Sequence, residues 1–160
     1  MARKHKKIKS LNEIVKIARR SRARGHKVVT TNGTFDVVHI GHIRNLEAAK
    51  SHGDILIVGI NSDASVKRYK GKERPIIPEQ ERAEVIASLK PVDYVFIFES
   101  DTPIPWLQKI KPHIHAKGAD RKVSEIIEKN TLDKIGAKLV RVPYLKGKST
   151  SAIIAKIKKL

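Results

Sequence analysis

Cysteine is absent from this 160-residue chain, which excludes disulfides and cysteine-based zinc sites and fits a reducing compartment. Aromatic residues make up only 4%, too few for the stacking platforms on which single-stranded nucleic acid is held. No apolar stretch approaches the roughly 20 residues needed to span a bilayer. The basic start, Met1-Ala2-Arg3-Lys4-His5-Lys6-Lys7, runs into no apolar signal-peptide core. The expectation from these absences is a cytoplasmic protein with no membrane partner. Acids are scarce as well: 16 Asp and Glu stand against 34 Lys and Arg, a formal net charge of +18. That excess favours anionic partners such as nucleic acid or phosphorylated small molecules. Between Arg3 and Lys27 the only acid is Glu13. We read this stretch as a solvated basic face, with any nucleic-acid contact non-specific and confined to the N-terminus.

The length suits one domain with a real core. Ser10-Leu11-Asn12-Glu13 has the form of a capping box, and Leu11, Ile14, Val15 and Ala18 follow at helical spacing. With Gly25 as a stop, this predicts a helix over 11–24. Further strands are expected at 27–31, 55–60, 94–98, 113–116 and 138–142. Further helices are expected at 43–51, 79–89, 104–110, 124–135 and 149–159. The stretch 66–78, rich in Lys and Arg with Gly71 and two prolines, reads as a loop. The continuous apolar run Ile55-Leu56-Ile57-Val58-Gly59-Ile60 fits a strand buried on both faces. Alternating strands and helices predict an α/β fold, a doubly wound, parallel, five-stranded sheet covered on both faces. Residues 1–26 would form a basic N-terminal extension carrying a helix, and 27–160 the main domain. Such sheets bind ligands at the carboxyl ends of their strands. That topology would bring segments 32–42, 61–74 and 143–151 to one rim.

The common nucleotide fingerprints are missing. There is no G-x-G-x-x-G, so a dinucleotide site is unsupported. Gly147-Lys148-Ser149 imitates the end of a Walker A loop, but Val142 stands where that loop needs glycine. What remains is Gly33-Thr34-Phe35-Asp36-x-x-His39-x-Gly41-His42, at the passage from a strand to a helix N-terminus. Free backbone N–H groups and the helix dipole favour phosphate there. Glycine at 33 and 41 permits close backbone approach. His39 and His42 can donate to phosphoryl oxygens as charge develops. Lys67 and Lys70 add positive charge from the following segment, and Ser149, Thr150 and Ser151 offer hydroxyls and N–H groups at the last helix. A zinc site on the two histidines lacks a third ligand. His5, His26, His52, His113 and His115 are taken as hydrogen-bonded structural residues.

These residues carry a resemblance. The stretch Thr31-Asn32-Gly33-x-Phe35-Asp36-x-x-His39-x-Gly41-His42 resembles the H-x-G-H nucleotidyltransferases, the cytidylyltransferase-like superfamily with its Rossmann-like fold. Within it the chain is most similar to the heptose 1-phosphate adenylyltransferase branch. Agreement continues through Gly53-Asp54, Asn61-Ser62-Asp63-Ala64-Ser65-x-Lys67-Arg68-x-Lys70-Gly71, Arg74-Pro75 and Arg82. It extends to Val92-Asp93, Asp101-Thr102-Pro103, Lys117-Gly118-x-Asp120 and Ser149-Thr150. The resemblance implies transfer of AMP from ATP to a sugar 1-phosphate with release of pyrophosphate. It implies Mg²⁺ on the triphosphate and a homodimer. His39, His42 and Lys70 would then be catalytic. Gly33, Thr34, Phe35, Asp36, Gly41, Lys117, Gly118, Asp120, Ser149, Thr150 and Ser151 would bind the nucleotide, with Lys117, Gly118 and Asp120 near base or ribose. Lys67, Arg74, Asp101 and Thr102 would reach the acceptor.

The chain departs from the family in places. Tyr144-Leu145-Lys146-Gly147 replaces the Arg-Thr-Glu-Gly of glycerol-3-phosphate cytidylyltransferases, so its phosphate-binding arginine is missing and Lys146 or Lys148 would supply the charge. Gly118-Ala119-Asp120 replaces Gly-Gly-Asp, Gln80-Glu81-Arg82 replaces Glu-Gln-Arg, and Ser149-Thr150-Ser151 replaces Ser-Thr-Thr. The alternatives are a CTP-dependent transfer to a phospho-alcohol, adenylylation of FMN, or a tRNA-linked RNA-binding module. The last also carries a His-x-Gly-His signature, but the chain is too short for a synthetase with an anticodon-binding domain.

Overall fold

The Glu13 amide donates to Ser10 Oγ at 3.3 Å, and the Glu13 carboxylate accepts the Ser10 N–H at 2.8 Å. This reciprocal cap starts α1 (Leu11–Ala23). The computed structural model describes residues 5–120, 122–143 and 145–160. Met1 to Lys4 of the basic terminus, and Tyr144 in the segment before Ser149, lie outside the described residues. After α1 come β1 (Val28–Gly33), α2 (Ile40–Lys50), β2 (Ile55–Asn61), α3 (Asp63–Lys70), α4 (Glu79–Ala87) and β3 (Tyr94–Phe98). The chain continues with α5 (Ile104–Ile110), β4 (Ile114–Gly118), a 3-10 turn at Val123–Glu125, α6 (Lys129–Lys134), β5 (Lys138–Val142) and α7 (Thr150–Ile157). Among the described residues no helix is long and apolar enough to cross a membrane.

The five strands are parallel in the order β3-β2-β1-β4-β5, the doubly wound sheet expected from the pattern. Because side chains alternate along a strand, Leu56, Val58 and Ile60 pack on one face against Leu46 of α2 and Ala83 and Ile86 of α4. Ile57, Phe96 and Phe98 point to the other, where Trp106, Leu107 and Ile110 of α5 join Ile14 and Ala18 of α1. Helix α1 therefore buries its apolar stripe in the same core as the sheet. Just before it, Lys7 O and Lys9 N hydrogen-bond to Val95, so the N-terminal segment lies along the β3 edge.

Three stretches differ from the expected elements. Helix α2 begins at Ile40, three residues early, because His39 serves as its N-cap, a residue type outside the usual Ser, Thr, Asp and Asn. Residues 63–70, half of which read as loop, form α3. Its start is capped by Ser62, whose Oγ accepts the Ser65 N–H, and it ends at Gly71 with φ 93°. The helix expected over 124–135 is broken: Ile126 is extended, and only Lys129–Lys134 is α-helical. That break lets Glu128 turn inward, where it is 2% exposed.

The order of the strands reverses direction at β1, so the crevice for ligands opens beyond the ends of β1 and β4. One buried side chain secures that rim. Arg82 of α4 is 1% exposed. Its guanidinium donates to the carbonyls of Thr34, Asn61 and Ile77 and pairs with Asp63 at 2.7 Å. The turn after β1, the turn after β2 and the loop before α4 thus share one cation. Arg82→Met leaves three carbonyls and a carboxylate without their donor, and should lower the unfolding free energy by about 3 to 5 kcal/mol. The check is a urea titration, read as a lower midpoint at unchanged slope; a wild-type midpoint would show that the rim holds without it.

Candidate active site

Beyond Gly33 the chain turns through Phe35, whose φ of 50° is left-handed and uncommon for a bulky residue. The Phe35 ring centroid sits 5.2 Å from that of His42. His39 then caps α2: its Nδ1 accepts the Gly41 N–H at 3.1 Å, while His42 Nδ1 accepts the His39 N–H at 3.3 Å. A neutral imidazole whose Nδ1 accepts carries its proton on Nε2. The backbone therefore assigns both tautomers and leaves two Nε2–H donors, on rings with centroids 4.0 Å apart. Glycine at 41 is required by the same arrangement, since a Cβ there would fall 2.8 Å from His39 Cε1. The His-x-Gly-His spacing is thus the spacing of a helix cap that presents two like-oriented donors.

Burial lowers the pKa of both rings. The Lys148 charge lowers His39 further, and His39 and Lys70 help bring His42 down to about 4. Both imidazoles are predominantly neutral at pH 7.

The two histidines line a cavity of about 340 Å³ together with Thr31 to Phe35, Gly41, Asn45, Lys70, Lys117, Gly118, Asp120, Lys148 and Ser149 to Ser151. Two helix N-termini, of α2 and α7, meet there, an arrangement that attracts anions. Ser149 Oγ accepts the Ala152 N–H, and Thr150 Oγ1 donates to Val37 O at 3.1 Å, tying α7 to the segment before His39. A second cavity, of about 620 Å³, shares Asn32, Gly33, Thr34, Lys70, Lys117, Gly118 and Asp120 with the first. It adds Asn61, Arg68, Tyr69, Asp101 and the stretch Glu125 to Glu128. The first cavity is dominated by cations and N–H groups. The second sets Arg68, Lys70 and Lys117 against Asp101, Asp120, Glu125 and Glu128.

Most of the residues singled out in the sequence converge here, but four do not line either cavity. Asp36 is 2% exposed: one carboxylate oxygen takes Arg74 Nε at 2.7 Å, and the other accepts the Ile76 and Ile77 N–H groups. Burial raises its pKa, but the Ile77 and Ile76 N–H groups and Arg74 outweigh that and hold it below the usual carboxylate range. Asp36 and Arg74 therefore brace the loop before α4. Lys67 is exposed on α3, and the Thr102 carbonyl accepts from Ser100. Asp101 reaches the second cavity but pairs with Arg68 at 2.7 Å. Of the two lysines offered in place of a missing arginine, Lys148 lines the first cavity and Lys146 does not. Among the described residues no cluster of three or more His, Cys, Asp or Glu could hold a metal ion.

Sequence reasoning gave no role to Asn45, Arg68, Tyr69, Arg82 or Glu128. Tyr69 OH hydrogen-bonds Thr34 Oγ1, and Asn45 Oδ1 is buried with no hydrogen-bond partner among the described residues. Asn45 lies one helical turn beyond His42, and that periodicity was the available signal for it. Behind the shared wall, His115 is fully buried on β4, with Nδ1 2.9 Å from Thr30 Oγ1 and Nε2 3.5 Å from Glu128 Oε1. Burial brings its pKa down to about 4 despite the neighbouring carboxylate.

A family model described as Cytidylyltransferase-like matches residues 30–156. The chain is similar to the bifunctional protein HldE of Geobacter metallireducens, 44% identical over 94% of this chain, and to that of Nitratiruptor sp., 47% identical over 94%. It spans about a third of the length of these curated relatives, 31% and 32%. Among solved structures it is similar to the lipopolysaccharide core biosynthesis protein from Thermoplasma volcanium, with a TM-score of 0.67 and 33% identity over 76% of this chain and 100% of that one. A pantoate-beta-alanine ligase from Francisella tularensis shares the fold, with a TM-score of 0.64 and 21% identity over 96% of this chain and 78% of that one.

The two histidines brought down to about 4, His42 and His115, make stability pH-dependent. Between pH 6.5 and about 4 the unfolded chain binds protons that folded His42 and His115 refuse. Their contribution is therefore complete above pH 6.5 and is lost as pH falls toward 4. The urea midpoint should decline steadily from pH 7 to pH 5, and ring-proton NMR should find two imidazoles still untitrated at pH 5. A flat midpoint with all seven histidines titrating near 6.5 would contradict this.

Proposed function

Because this chain belongs to the cytidylyltransferase-like family of nucleotidyltransferases, we propose that it transfers AMP from ATP to a sugar 1-phosphate, heptose 1-phosphate foremost, forming an ADP-sugar and pyrophosphate. The observation that carries the reading is the pair of cavities meeting at Lys70 and Lys117. One has the N–H groups and cations suited to a triphosphate. The other combines cations for a phosphate with carboxylates and amides that hydrogen-bond hydroxyls, as a phosphorylated polyol requires. The names of two relatives, bifunctional protein HldE and lipopolysaccharide core biosynthesis protein, agree with a sugar acceptor.

In this reaction an acceptor phosphate oxygen forms a bond to the α-phosphorus while the bond from that phosphorus to the bridging oxygen breaks, and pyrophosphate carries the electron pair away. The nucleophile is already ionised at neutral pH, so no general base is needed. What remains is to align two polyanions and to neutralise charge as it moves. The Nε2–H groups of His39 and His42 serve the triphosphate oxygens, together with Lys70, Lys148 and the start of α7. A triphosphate among them would oppose the lowering that burial and the neighbouring cations impose on the imidazoles, so their protonation and its binding would favour each other. Mg²⁺ would enter as a companion of the nucleotide and supply charge neutralisation; Asp120 is the carboxylate that lines the cavity with the histidines, whereas Asp36 is engaged by Arg74 and two amides.

The test is incubation with ATP or CTP and a panel of phosphorylated acceptors, scored by pyrophosphate release. Release with ATP and a sugar 1-phosphate is expected; release with CTP alone defeats the adenylyl reading. His39→Ala and His42→Ala should each lower turnover at least about a hundredfold, as loss of a transition-state donor does. Near-normal turnover in both would remove them from the mechanism.

A further inference from the structure

We propose that Glu128 is a positioning residue for this transfer: with His115 behind it, its carboxylate fixes the Lys117 ammonium in the wall that the two cavities share. The assignment rests on the transferase reading above and adds to it a residue that no motif marks.

Glutamate is almost never fully buried unless paired, and Glu128 is 2% exposed. Its Oε1 lies 2.6 Å from Lys117 Nζ and 3.5 Å from His115 Nε2. Lys117 Nζ also donates to Asn32 Oδ1 at 3.0 Å, and Thr30 Oγ1 lies 2.9 Å from His115 Nδ1. A row of polar side chains, Thr30, His115, Glu128, Lys117 and Asn32, therefore crosses β1 and β4 at the point where the sheet reverses direction, joined at its centre by the Lys117–Glu128 ion pair rather than by a hydrogen bond.

The protonation states are consistent along this row. Burial raises the Glu128 pKa, but the His115 and Lys117 contacts outweigh it and bring it to about 2. Neutral His115 sets Nδ1 beside the Thr30 hydroxyl, which also donates to Ile114 O at 3.4 Å, and Nε2 toward the carboxylate. The cluster is thus one cation and one anion, with the imidazole adding no charge.

Stability alone gives little reason for such a pair, since buried ion pairs are often matched or bettered by apolar residues of similar volume. Placement gives a better one. Lys117 belongs to the lining of both cavities, where the donor α-phosphate and the acceptor phosphate must meet. Its ammonium donates one N–H to Asn32 Oδ1 and is held by the charge of Glu128 at 2.6 Å, which leaves donor capacity for a phosphoryl oxygen. A lysine on a flexible four-carbon stem gains most from being held.

The experiment compares wild type, Glu128→Gln, Lys117→Gln and the double variant in steady-state pyrophosphate release, with thermal unfolding alongside. The double variant leaves no unpaired buried charge and should fold even where a single variant does not. Glu128→Gln is expected to lower kcat at least about tenfold, the cost of misplacing a catalytic group, with the nucleotide KM within about threefold, as for an interaction made in the transition state. Lys117→Gln should be slower still, and the double variant no slower than Lys117→Gln, because the two residues act as one unit. A wild-type kcat in Glu128→Gln, or a double variant whose loss is the product of the single losses, overturns the assignment while leaving the transferase reading intact. No pyrophosphate release by wild type with any donor and acceptor overturns both.

Discussion

The site depends on one buried guanidinium. Arg82 gathers the carbonyls of Thr34, Asn61 and Ile77 and the carboxylate of Asp63, which belong to three separate loops at the carboxyl rim of the sheet. Backbone carbonyls at strand ends have no ladder partner, and burying them unpaired is costly. A planar cation with five donors satisfies several at once. It holds the turn before His39 and the start of α3, and so sets where Lys70 and the histidines stand relative to each other. Asp36 and Arg74 repeat the device in smaller form, bracing the loop from the other side.

On that frame the histidine pair is a helix cap that presents two side-chain donors to the first cavity. Each Nδ1 is committed to a backbone N–H, which orients the ring without help from a second side chain. Preorganised donors of this kind need no rearrangement as charge develops, the condition under which they contribute most to rate. Burial is the main reason the pKa of both rings is lowered, and Lys148 and Lys70 add to it; the same cations would favour a polyanion.

The two cavities divide recognition by chemistry. Two helix N-termini and a predominance of cations mark the first; mixed charge and amides mark the second. The shared wall carries Lys70 from α3 and Lys117 from β4, so the lysines at the meeting point come from opposite sides of the sheet's reversal. Family membership accounts for the first cavity, which is built from the His-x-Gly-His segment. The second adds residues from the ends of β2 and α3 and from the loops after β3 and β4.

Much was legible in the sequence because it depends on near neighbours. The alternation of Val28 with Val29 and of Ile57 with Val58 separates the two faces of the sheet. The Ser10–Glu13 cap starts α1, and the His39-x-Gly41-His42 spacing marks the phosphate-facing turn; each is settled within four residues. The His39 cap and the α3 helix were missed for an equally local reason, since a histidine cap is uncommon and a lysine-rich stretch resembles a loop. Only the tertiary structure decided the pairings across long separations. Asp36 meets Arg74, and so leaves the nucleotide site for a bracing role. Lys117 meets Asn32 and Glu128, in the wall that the two cavities share. Glu128, on a stretch patterned like a surface helix, becomes buried because Ile126 breaks that helix and His115 and Lys117 stabilise its charge. Local pattern determines which elements form and where phosphate is welcomed. The choice of partner for each charge rests on desolvation and distance in the assembled core, which no sequence neighbourhood contains.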